Sequence, residues 1–578
     1  MTEKAAISVD NQDAGLSLDR GMRKTTRPTR AGVVLLAAAS LILTACSSGG
    51  DGDGEQEVGS EQKKTSEYPG YLANSELTTV NAGSAFGTAS VASQLSGRLY
   101  PGAFVSGPTG QLVPNSDLVT TTEWMDGDQR NVLYTIADDA TYSDGTPVAC
   151  DDFLLAYTAG QMQEMFGSNM PLMDQVESVA CAPENKKFLV KFQPGQGGQW
   201  RSMFGPGTVM PAHKIAERAE MSREELVSAL YSQDPEQLGR VAEIWRFGFG
   251  LEHFIPEMHV SYGPFAVDSV GEQGEVLLKR NDNYYGDPAA MENLVVWPVQ
   301  SDITEVTQQD NLLIADAAVS EPKWFDKETM ADNFEIENVV GDLTDSLIFS
   351  DSGIFEQQWA RQAFAACIDQ AEIAKVSSKA SGVEVPPVYT HAVNHNDPLA
   401  RTLASVTEKH RETDMDQAGE LAGTTIRIGY LGEDERLQAM VDSIRQQCEP
   451  AGITVEEVTG GNVSAAFLEM DPETWLPSID AFLGPINSRS QYGVNSPSLA
   501  RVDELRDEER KLWEDLPGLP LSAEPHTFFI SPRLANAVPY TGSTGIGWNM
   551  DRWYVQDVPE SEDSSAPAEE SSETSSAN

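Results

Sequence analysis

The sequence predicts an α/β protein built from more than one structural unit. Residues 424–458, "TTIRIGYLGEDERLQAMVDSIRQQCEPAGITVEEV", read as a strand, a helix and a second strand, and this β-α-β succession is typical of α/β folds. Residues 134–157, "YTIADDATYSDGTPVACDDFLLAY", read as a strand, a turn and a helix. A chain of 578 residues is also longer than a single hydrophobic core usually supports.

The aspartate-rich stretch 134–157 is explained by local structure. Alternation of apolar residues over Val132–Ile136 predicts a strand, and Ser143-Asp144-Gly145 predicts a turn. Asp151 is expected to cap the helix that follows, with Asp152 beside the positive end of its dipole. The spacing of the aspartates does not fit the alternating ligands of a calcium loop. We therefore expect neither a calcium site nor a catalytic carboxylate pair here.

Other segments carry their own signals. Ser222 with Glu225 three residues later forms a capping box and predicts a helix start. Further helices are expected in "TASVASQLSGRLYPGAF" and "IFEQQWARQAFAACIDQAEIAKV", and further strands in "ELTTVNAG", "KKFLVKFQP" and "GEVLLKRND". The sequence shows no internal repeat.

The composition excludes some partners. The chain is 40% hydrophobic and carries a formal net charge of -50 at pH 7. A nucleic-acid partner needs a basic face, which this charge argues against, and the charge also disfavours adsorption to anionic lipid headgroups. We expect no nucleic-acid partner and a soluble globular body.

The N-terminal segment predicts export. A basic stretch from Arg23 to Arg30 precedes the apolar run "AGVVLLAAASLIL", which is too short for a comfortable transmembrane span. The run ends in "LTAC", which resembles the bacterial lipobox. We expect residues 1–45 to be a signal peptide, Cys46 to be the lipidation site, and residues 46–72 to be a flexible tether. A non-lipidated signal peptide with an accidental cysteine is the alternative, and translation could start at Met1 or Met22.

The remaining cysteines predict two disulfides. Cys150, Cys181, Cys367 and Cys448 allow three pairings. Cys150–Cys181 and Cys367–Cys448 are favoured because each bond would close one local unit. No CxxC motif occurs, so neither redox catalysis nor a structural zinc site is expected.

The order of four segments resembles a known family. "YSDGTPVACDDFLLAY", "HVSYGPFAV", "VLLKRNDNYYGDP" and "ARQAFAACIDQAEIAKV" are similar to blocks of the family 5 extracellular solute-binding proteins, which include oligopeptide, dipeptide and nickel receptors of ABC importers. The resemblance implies a two-lobed periplasmic-binding-protein type II fold with an extra subdomain and discontinuous lobes. The boundaries it suggests are 73–101, 258–345 and 535–556 for lobe I, 102–257 for the inserted subdomain, 346–534 for lobe II, and 557–578 for a disordered acidic tail.

The ligand-binding residues are expected on loops between the lobes. Family peptide receptors place an ammonium-binding aspartate near a stretch that corresponds to "IDAFLGPINSRSQYG". Asp480 fits the strand end of that stretch, but "GPINSRS" replaces the expected tryptophan and aspartate. Asn487 and Arg489 in this segment suit an anion or hydroxyl groups, since guanidinium offers a planar donor fork; a surface salt bridge is the alternative for Arg489.

Four further candidates follow from loop positions. Ser84 and Phe86 come after the expected first strand, and Trp548 and Asn549 lie in a Gly-rich segment near the end. His391 and His395 are four residues apart in an expected loop, where that spacing does not build a metal site, so no metal or cofactor is predicted.

The predicted function is a lipid-anchored solute-binding protein at the outer face of the cell membrane. G-x-S-x-G, H-E-x-x-H and Walker A motifs are absent from the sequence, so we do not predict an enzyme. The resemblance implies ABC permease and ATPase subunits as partners and a small peptide or other polar solute as ligand. The alternative is an LpqW-like role in cell-envelope lipoglycan assembly.

Overall fold

The structure, a computed structural model, describes residues 64–460, 463–468, 477–492 and 501–556. The expected signal peptide, Cys46, most of the tether and the acidic tail lie outside these ranges. Within them, no helix is both long and apolar enough to cross a membrane.

Eighteen strands are found in the described residues, and ten of them form one mixed sheet in the order β14-β13-β15-β12-β16-β11-β1-β10-β9-β8. The strands are β1 Gly70–Leu72, β2 Phe104–Ser106, β3 Leu112–Pro114, β4 Val119–Asp126, β5 Gln129–Ile136, β6 Val176–Ala180, β7 Lys187–Phe192, β8 Phe265–Val270, β9 Val276–Arg280, β10 Asn293–Trp297, β11 Leu312–Ala317, β12 Glu335–Phe349, β13 Thr425–Leu431, β14 Thr454–Gly460, β15 Ala481–Ile486, β16 Gly518–Ile530, β17 Leu534–Ala535 and β18 Tyr554–Val555.

Helices cover both halves of this sheet. The α-helices of the described residues are α1 Ala85–Ala89, α2 Ser93–Ser96, α3 Cys150–Gln161, α4 Gln163–Phe166, α5 Ala212–Arg218, α6 Arg223–Ser232, α7 Pro235–Phe247, α8 Thr304–Gln308, α9 Lys327–Met330, α10 Gln358–Ala366, α11 Gln370–Ser381, α12 Ala404–Thr407, α13 Met415–Ala418, α14 Glu435–Cys448, α15 Ser488–Gln491 and α16 Val502–Asp515.

The long antiparallel pair β12 and β16 joins two lobes. The first part of β12, residues 335–340, pairs with residues 525–530 of β16, and these residues of β16 border β11. The last part, residues 344–349, pairs with residues 518–523 and with β15. We call the side with β1 and β8–β11 lobe I, and the side with β13–β15 lobe II. The chain crosses between them at residues 341–343 and 524.

The subdomain inserted into lobe I has its own sheet, ordered β4-β5-β7-β6. Its core is aromatic: the ring of Tyr134 stacks on that of Phe188 at 4.7 Å and meets Phe204 edge-on at 5.6 Å. Such contacts add to the free energy gained by burying large apolar surface. The predicted limits 102–257 and the other lobe boundaries stay predictions, although the strand pairings agree with an insertion at this place.

The helix after the SDG turn begins differently from the prediction. Ala149, not Asp151, is the N-cap of α3. Asp152 reaches back to accept a hydrogen bond from the Ala149 backbone N–H at 2.9 Å, and Asp151 is taken by an ion pair with Arg223. Both aspartates are buried. Their hydrogen-bond and ion-pair partners in the folded protein therefore determine what each side chain does. The capping box at Ser222 and Glu225 is present as predicted.

Two other local predictions need correction. "ELTTVNAG" is not a strand; it contributes one isolated bridge, Thr79 with Gly250, while the first strand is β1. The helical region around "ARQAFAACIDQAEIAKV" is two helices, because Asp369 caps a new one by accepting hydrogen bonds from the backbone of Ala371 and Glu372. Short polar residues such as aspartate compete with the helix in this way.

Two disulfides join the pairs favoured from the sequence. Cys150 is bonded to Cys181 and Cys367 to Cys448. The first tethers the start of α3 to the segment after β6, and the second joins the end of α10 to the end of α14 in lobe II. Each bond restricts the unfolded chain, and this typically raises the free energy of unfolding by about 2–4 kcal/mol.

Lobe II contains a fully buried ion pair. Arg436 on α14 contacts Asp345 on β12 and also donates to Ser377 Oγ at 3.2 Å. Burial raises the pKa of Asp345 to about 6, although the guanidinium of Arg436 opposes that shift. Removing one member of such a pair leaves the other charge unpaired in the interior.

We predict that Arg436→Ala will lower the free energy of unfolding by about 3–5 kcal/mol, since it leaves Asp345 buried without its cation. The matched control is Glu435→Ala, the preceding residue on α14, whose ion pair with Lys323 is exposed and should contribute little. Chemical denaturation of both variants measures the difference. Equal, small effects would contradict the prediction.

Candidate functional site

A cavity of about 520 Å³ lies between the lobes. Lobe II contributes residues 394–398 and 485–491, and the crossing contributes Asp342 and Leu343. The lobe I side and its inserted subdomain contribute the rest, which is Ala82, Gly87, Thr88, Val91 and Ser93, then Phe104, Ser106, Thr109, Gly110 and Leu112, then residues 169–173, 201–206 and Thr208, and finally Tyr540 and residues 542–544. Its size and position are those of a small-molecule site, since such sites occupy clefts of roughly 300–1,000 Å³ between domains.

The wall from lobe II is built on α15. Asn487 caps this helix by accepting a hydrogen bond from the Ser490 backbone N–H at 3.3 Å. Ser488 N–H donates to Asn394 Oδ1 at 3.1 Å, which ties the helix to the 394–398 loop. The structure therefore places Asn487 on the cavity wall, where it was expected from the sequence.

Arg489 also lines the cavity, but it is already paired. Its guanidinium contacts the carboxylate of Asp397, whose side chain is only 6% exposed. Burial lowers the pKa of Arg489. Asp397 neutralises the guanidinium from within the same lobe, so the structure supports the salt-bridge interpretation of Arg489. The guanidinium is therefore not free to bind an anion.

A buried carboxylate holds the 391–398 loop. Glu509 on α16 accepts hydrogen bonds from the backbone N–H groups of His391 and Ala392 at 2.8–3.1 Å, and lies 3.1 Å from His391 Nδ1. His391 Nε2 contacts the carbonyl oxygen of Gly518 at 3.0 Å. His391 is thus used to fix the loop, and within the described ranges no cluster of His, Cys, Asp and Glu could hold a metal ion.

The wall at the lobe crossing is acidic. Asp342 accepts a hydrogen bond from the amide of Asn396, and its backbone N–H donates to Thr541 Oγ1 at 3.0 Å. Tyr540 lies beside it; burial raises the pKa of this phenol, a hydrogen bond with Ser106 opposes the rise, and the Asp342 carboxylate adds to it. Asp342, Asn396 and Tyr540 were not predicted from the sequence as site residues.

The remaining wall is largely apolar. Six of its hydrophobic side chains come from the 169–173 and 201–208 segments of the inserted subdomain and from the crossing: Met170, Leu172, Met173, Met203, Phe204 and Leu343. Val91, Phe104, Leu112 and Ile486 also line the cavity. Methionine side chains adapt to differently shaped ligands. An apolar surface with a few fixed polar groups is the usual make-up of a solute site.

Four predicted ligand residues lie outside the lining. Ser84 caps α1, accepting from the Gly87 backbone N–H at 3.0 Å. The ring of Phe86 packs 5.9 Å from that of Phe247.

The two C-terminal candidates hold their own segment together. Trp548 donates its indole N–H to the Val538 carbonyl oxygen at 2.9 Å, and Asn549 donates to the Asn536 carbonyl oxygen at 2.8 Å. These contacts explain all four residues as structural, so we do not assign them to ligand binding.

Asp480, at the strand end that matches the family's ligand stretch, also has a structural partner. Its carboxylate accepts two hydrogen bonds from the Arg427 guanidinium, at 2.8 and 2.9 Å, and one from the Arg427 backbone N–H. It does not line the cavity.

Comparison with known families decides what this two-lobed architecture is. Residues 113–473 match the family described as "Bacterial extracellular solute-binding proteins, family 5 Middle". The chain belongs to this family. The match covers most of the inserted subdomain, strands β8–β11 of lobe I, all of β12, and β13 and β14 of lobe II.

Curated relatives extend the likeness over most of the chain. An uncharacterized lipoprotein of Mycobacterium tuberculosis (strain ATCC 25618 / H37Rv) is 26% identical over 526 residues, covering 84% of this chain and 92% of the relative. An uncharacterized lipoprotein of Mycobacterium leprae is 27% identical over 574 residues, covering 92% and 99%. The oligopeptide-binding protein OppA of M. tuberculosis is 29% identical, but over 124 residues and 20% of each chain.

Solved structures of the family share the fold. The oligopeptide-binding protein AppA of Bacillus subtilis, in complex with a nonapeptide, superposes with a TM-score of 0.60 at 12% identity, covering 85% of this chain and all of that one. An oligopeptide-binding protein of Thermus thermophilus gives 0.61 at 16% identity, covering 84% and 96%. At these identities the likeness establishes the two-lobed fold of type II periplasmic binding proteins and leaves the ligand open.

Proposed function

We propose that this protein is the solute-binding lipoprotein of an ABC importer, anchored to the outer face of the cell membrane, with a small polar solute bound between its lobes. The observation that carries the proposal is the cavity itself: both lobes and their crossing line it, so closing the lobes on each other would enclose a ligand. Proteins of this architecture move by hinge closure around the ligand.

The lobes already touch at the rim. Asn169 Nδ2 of the inserted subdomain donates to Gln491 Oε1 of lobe II at 3.3 Å, and Gln300 Nε2 of lobe I donates to the Glu433 carbonyl oxygen at 2.9 Å. Lys323 and Glu435 pair across the same boundary at 2.7 Å. The contacts of Gln300 and of the Lys323–Glu435 pair are exposed, and such contacts are weak enough to open, which a receptor that loads and releases solute requires.

The cavity size favours a small solute. A volume of about 520 Å³ suits a drug-sized molecule, such as a di- or tripeptide or a substance of similar bulk. Catalysis is not part of the proposal, because the polar groups on the wall are tied to one another: Arg489 to Asp397 and Asn487 to the backbone of α15.

The lipid anchor and the importer partners rest on the sequence and the relatives. "LTAC" at residues 43–46 follows a short apolar run, and full-length mycobacterial relatives are named lipoproteins. Receptors of this family deliver solute to ABC transporters, so permease and ATPase subunits are the proposed partners. A role in lipoglycan assembly would use the same fold with another ligand, and no contact in the described residues favours it.

Cys46→Ala is expected to release the protein from the membrane, since the anchor requires that thiol. Membrane fractionation and incorporation of a labelled fatty acid measure the effect, with Ser47→Ala as a control that should remain anchored and labelled. A Cys46→Ala variant that still takes up the label and stays in the membrane fraction would refute the anchor.

Ser490→Trp is expected to block solute binding. Ser490 is exposed on α15 and lines the cavity, so an indole there should fill the space without disturbing the core. In a thermal-shift screen of short peptides, sugars and polyamines, a ligand should stabilise the wild type by about 2.7 kcal/mol at a hundredfold excess over its Kd.

The matched control is Ser232→Trp, at an exposed position at the end of α6, which should respond like the wild type. A ligand response that persists in Ser490→Trp would place binding outside the cavity. Conversion of a bound solute at a rate proportional to protein concentration would contradict the receptor function.

A further inference from the structure

A small apolar patch crosses the boundary between the two lobes. Its buried members belong to lobe II and are Val463, Leu468, Ile479 and Phe482. Ala89, the last residue of α1 on the lobe I side, packs against them. Both lobes therefore contribute apolar surface to this contact, whereas the contacts at the rim of the cavity are polar.

The lobe I side of the patch is held firmly. The backbone N–H of Ala85, at the start of α1, donates to the Gly167 carbonyl oxygen at 2.9 Å. Just after α1, Ser90 Oγ accepts a hydrogen bond from Thr78 Oγ1 at 2.9 Å. Ala89 must therefore move together with the lobe I side when the lobes separate.

The lobe II side is a short 3-10 turn, Ala465–Leu468, which packs against α1. The Leu468 carbonyl oxygen accepts a hydrogen bond from Ser350 Oγ at 2.6 Å, and the Phe467 carbonyl oxygen accepts one from the Ile479 backbone N–H at 3.1 Å. This turn is thus fixed to β12 and to the segment before β15. The patch is a contact between two firmly held surfaces.

The lobes also come close together next to the patch. A β-carbon added at Gly432 of lobe II would lie 3.2 Å from Glu76 Oε1 on the lobe I side. The Gly460 carbonyl oxygen accepts from the backbone N–H groups of both Gly432 and Val463, at 3.0 and 3.2 Å, so this close approach adjoins the patch. Burial raises the pKa of the Glu76 carboxyl, in keeping with a border that excludes water.

The patch lies outside the solute cavity. Gly87 and Thr88 of α1 line the cavity, but Ala89, Val463 and Leu468 are not among its lining residues in the described part of the chain. A solute in the cavity therefore does not touch the patch. Removing apolar surface from water is favourable in its own right, so this contact favours closed lobes whether solute is present or not.

We propose that this patch is an apolar latch, which stabilises the closed arrangement of the lobes by itself and so sets one common factor in the affinity for every solute. The inference rests on the proposed function, because it assumes that opening the lobes separates α1 from the 465–468 turn. If solute binds only the closed form, the apparent Kd is the intrinsic Kd divided by the closed fraction. Weakening the latch lowers that fraction and weakens the binding of all solutes alike.

Ala89→Glu tests the latch without any solute. A carboxylate in the apolar patch is costly while the lobes are closed but is hydrated once they open, so the open form gains. Double electron–electron resonance between spin labels at Lys279 of lobe I and Arg510 of lobe II, both exposed, measures the two populations. We expect the ratio of closed to open form to fall about threefold to tenfold, as for the loss of a small apolar contact.

Calorimetry supplies the second readout, using the solutes that raise Tm in the screen of peptides, sugars and polyamines. Each Kd should rise in Ala89→Glu by the factor by which the closed fraction falls, and the ratios between solutes should stay as in the wild type. The matched control Ala290→Glu adds the same charge at an exposed position outside the cavity lining. It should change neither the distance distribution nor any Kd.

A second variant covers the case in which Ala89→Glu does not fold. Phe467→Ala removes apolar surface from the lobe II side of the same patch, and the expectations are the same. If neither variant folds, the patch is required for folding rather than for closure, and the latch is refuted.

The possible results separate this inference from the proposed function. An unchanged solute-free distance distribution in a folded variant, or changes in Kd that differ from one solute to the next, would overturn the latch, while a loss of binding in Ser490→Trp would still support the cavity. If no solute in the screen binds, the proposed function loses its support, and the solute-free distance distribution still decides the latch.

Discussion

The antiparallel pair β12 and β16 is the constraint on which the rest of this structure depends. Each strand runs through both lobes, and every other strand of the ten-stranded sheet lies on one side of the pair or the other. The two lobes can therefore move relative to each other only by bending these two strands. The register shift at residues 341–343 marks the place where the regular ladder is interrupted and bending is easiest.

Charged side chains are buried at this crossing. His526 lies between Asp316 of β11, at 2.8 Å, and Glu524, at 3.1 Å, and all three are nearly inaccessible to solvent. Burial alone would lower the pKa of His526, but the carboxylates of Asp316 and Glu524 outweigh it and hold the pKa well above its usual range. Both ring nitrogens of His526 are thereby paired, and the contact with Asp316 holds β16 against β11 on the lobe I side of the crossing.

Local elements were predictable from the sequence. The β13-α14-β14 unit follows from periodicity within 35 residues, and the Ser222 capping box needs only four. The favoured disulfides were found because each closes a loop within one unit. The fold itself came from the order of four segments, which no single periodicity would have given.

The site was harder to predict, because its chemistry depends on residues far apart in the chain. Arg489 was expected to bind an anion, but its partner Asp397 comes from a loop 92 residues earlier. Asp342 follows Gly341 at the register shift of β12, and an isolated glycine in a strand suggests a bulge without showing which neighbouring side chain reaches the cavity. Ser84 and Phe86 were chosen because they follow an expected strand, and that strand does not form.

The central claim is that solute is held between two lobes that close on it. Double electron–electron resonance tests it most directly, with one spin label at the exposed position of Lys279 in lobe I and one at that of Arg510 in lobe II. The labels are attached to non-natural amino acids instead of cysteines, so that the disulfides stay intact. The account predicts a broad distance distribution without solute and a narrower, shifted one at saturation with a solute that raises Tm. An identical distribution with and without bound solute would contradict it.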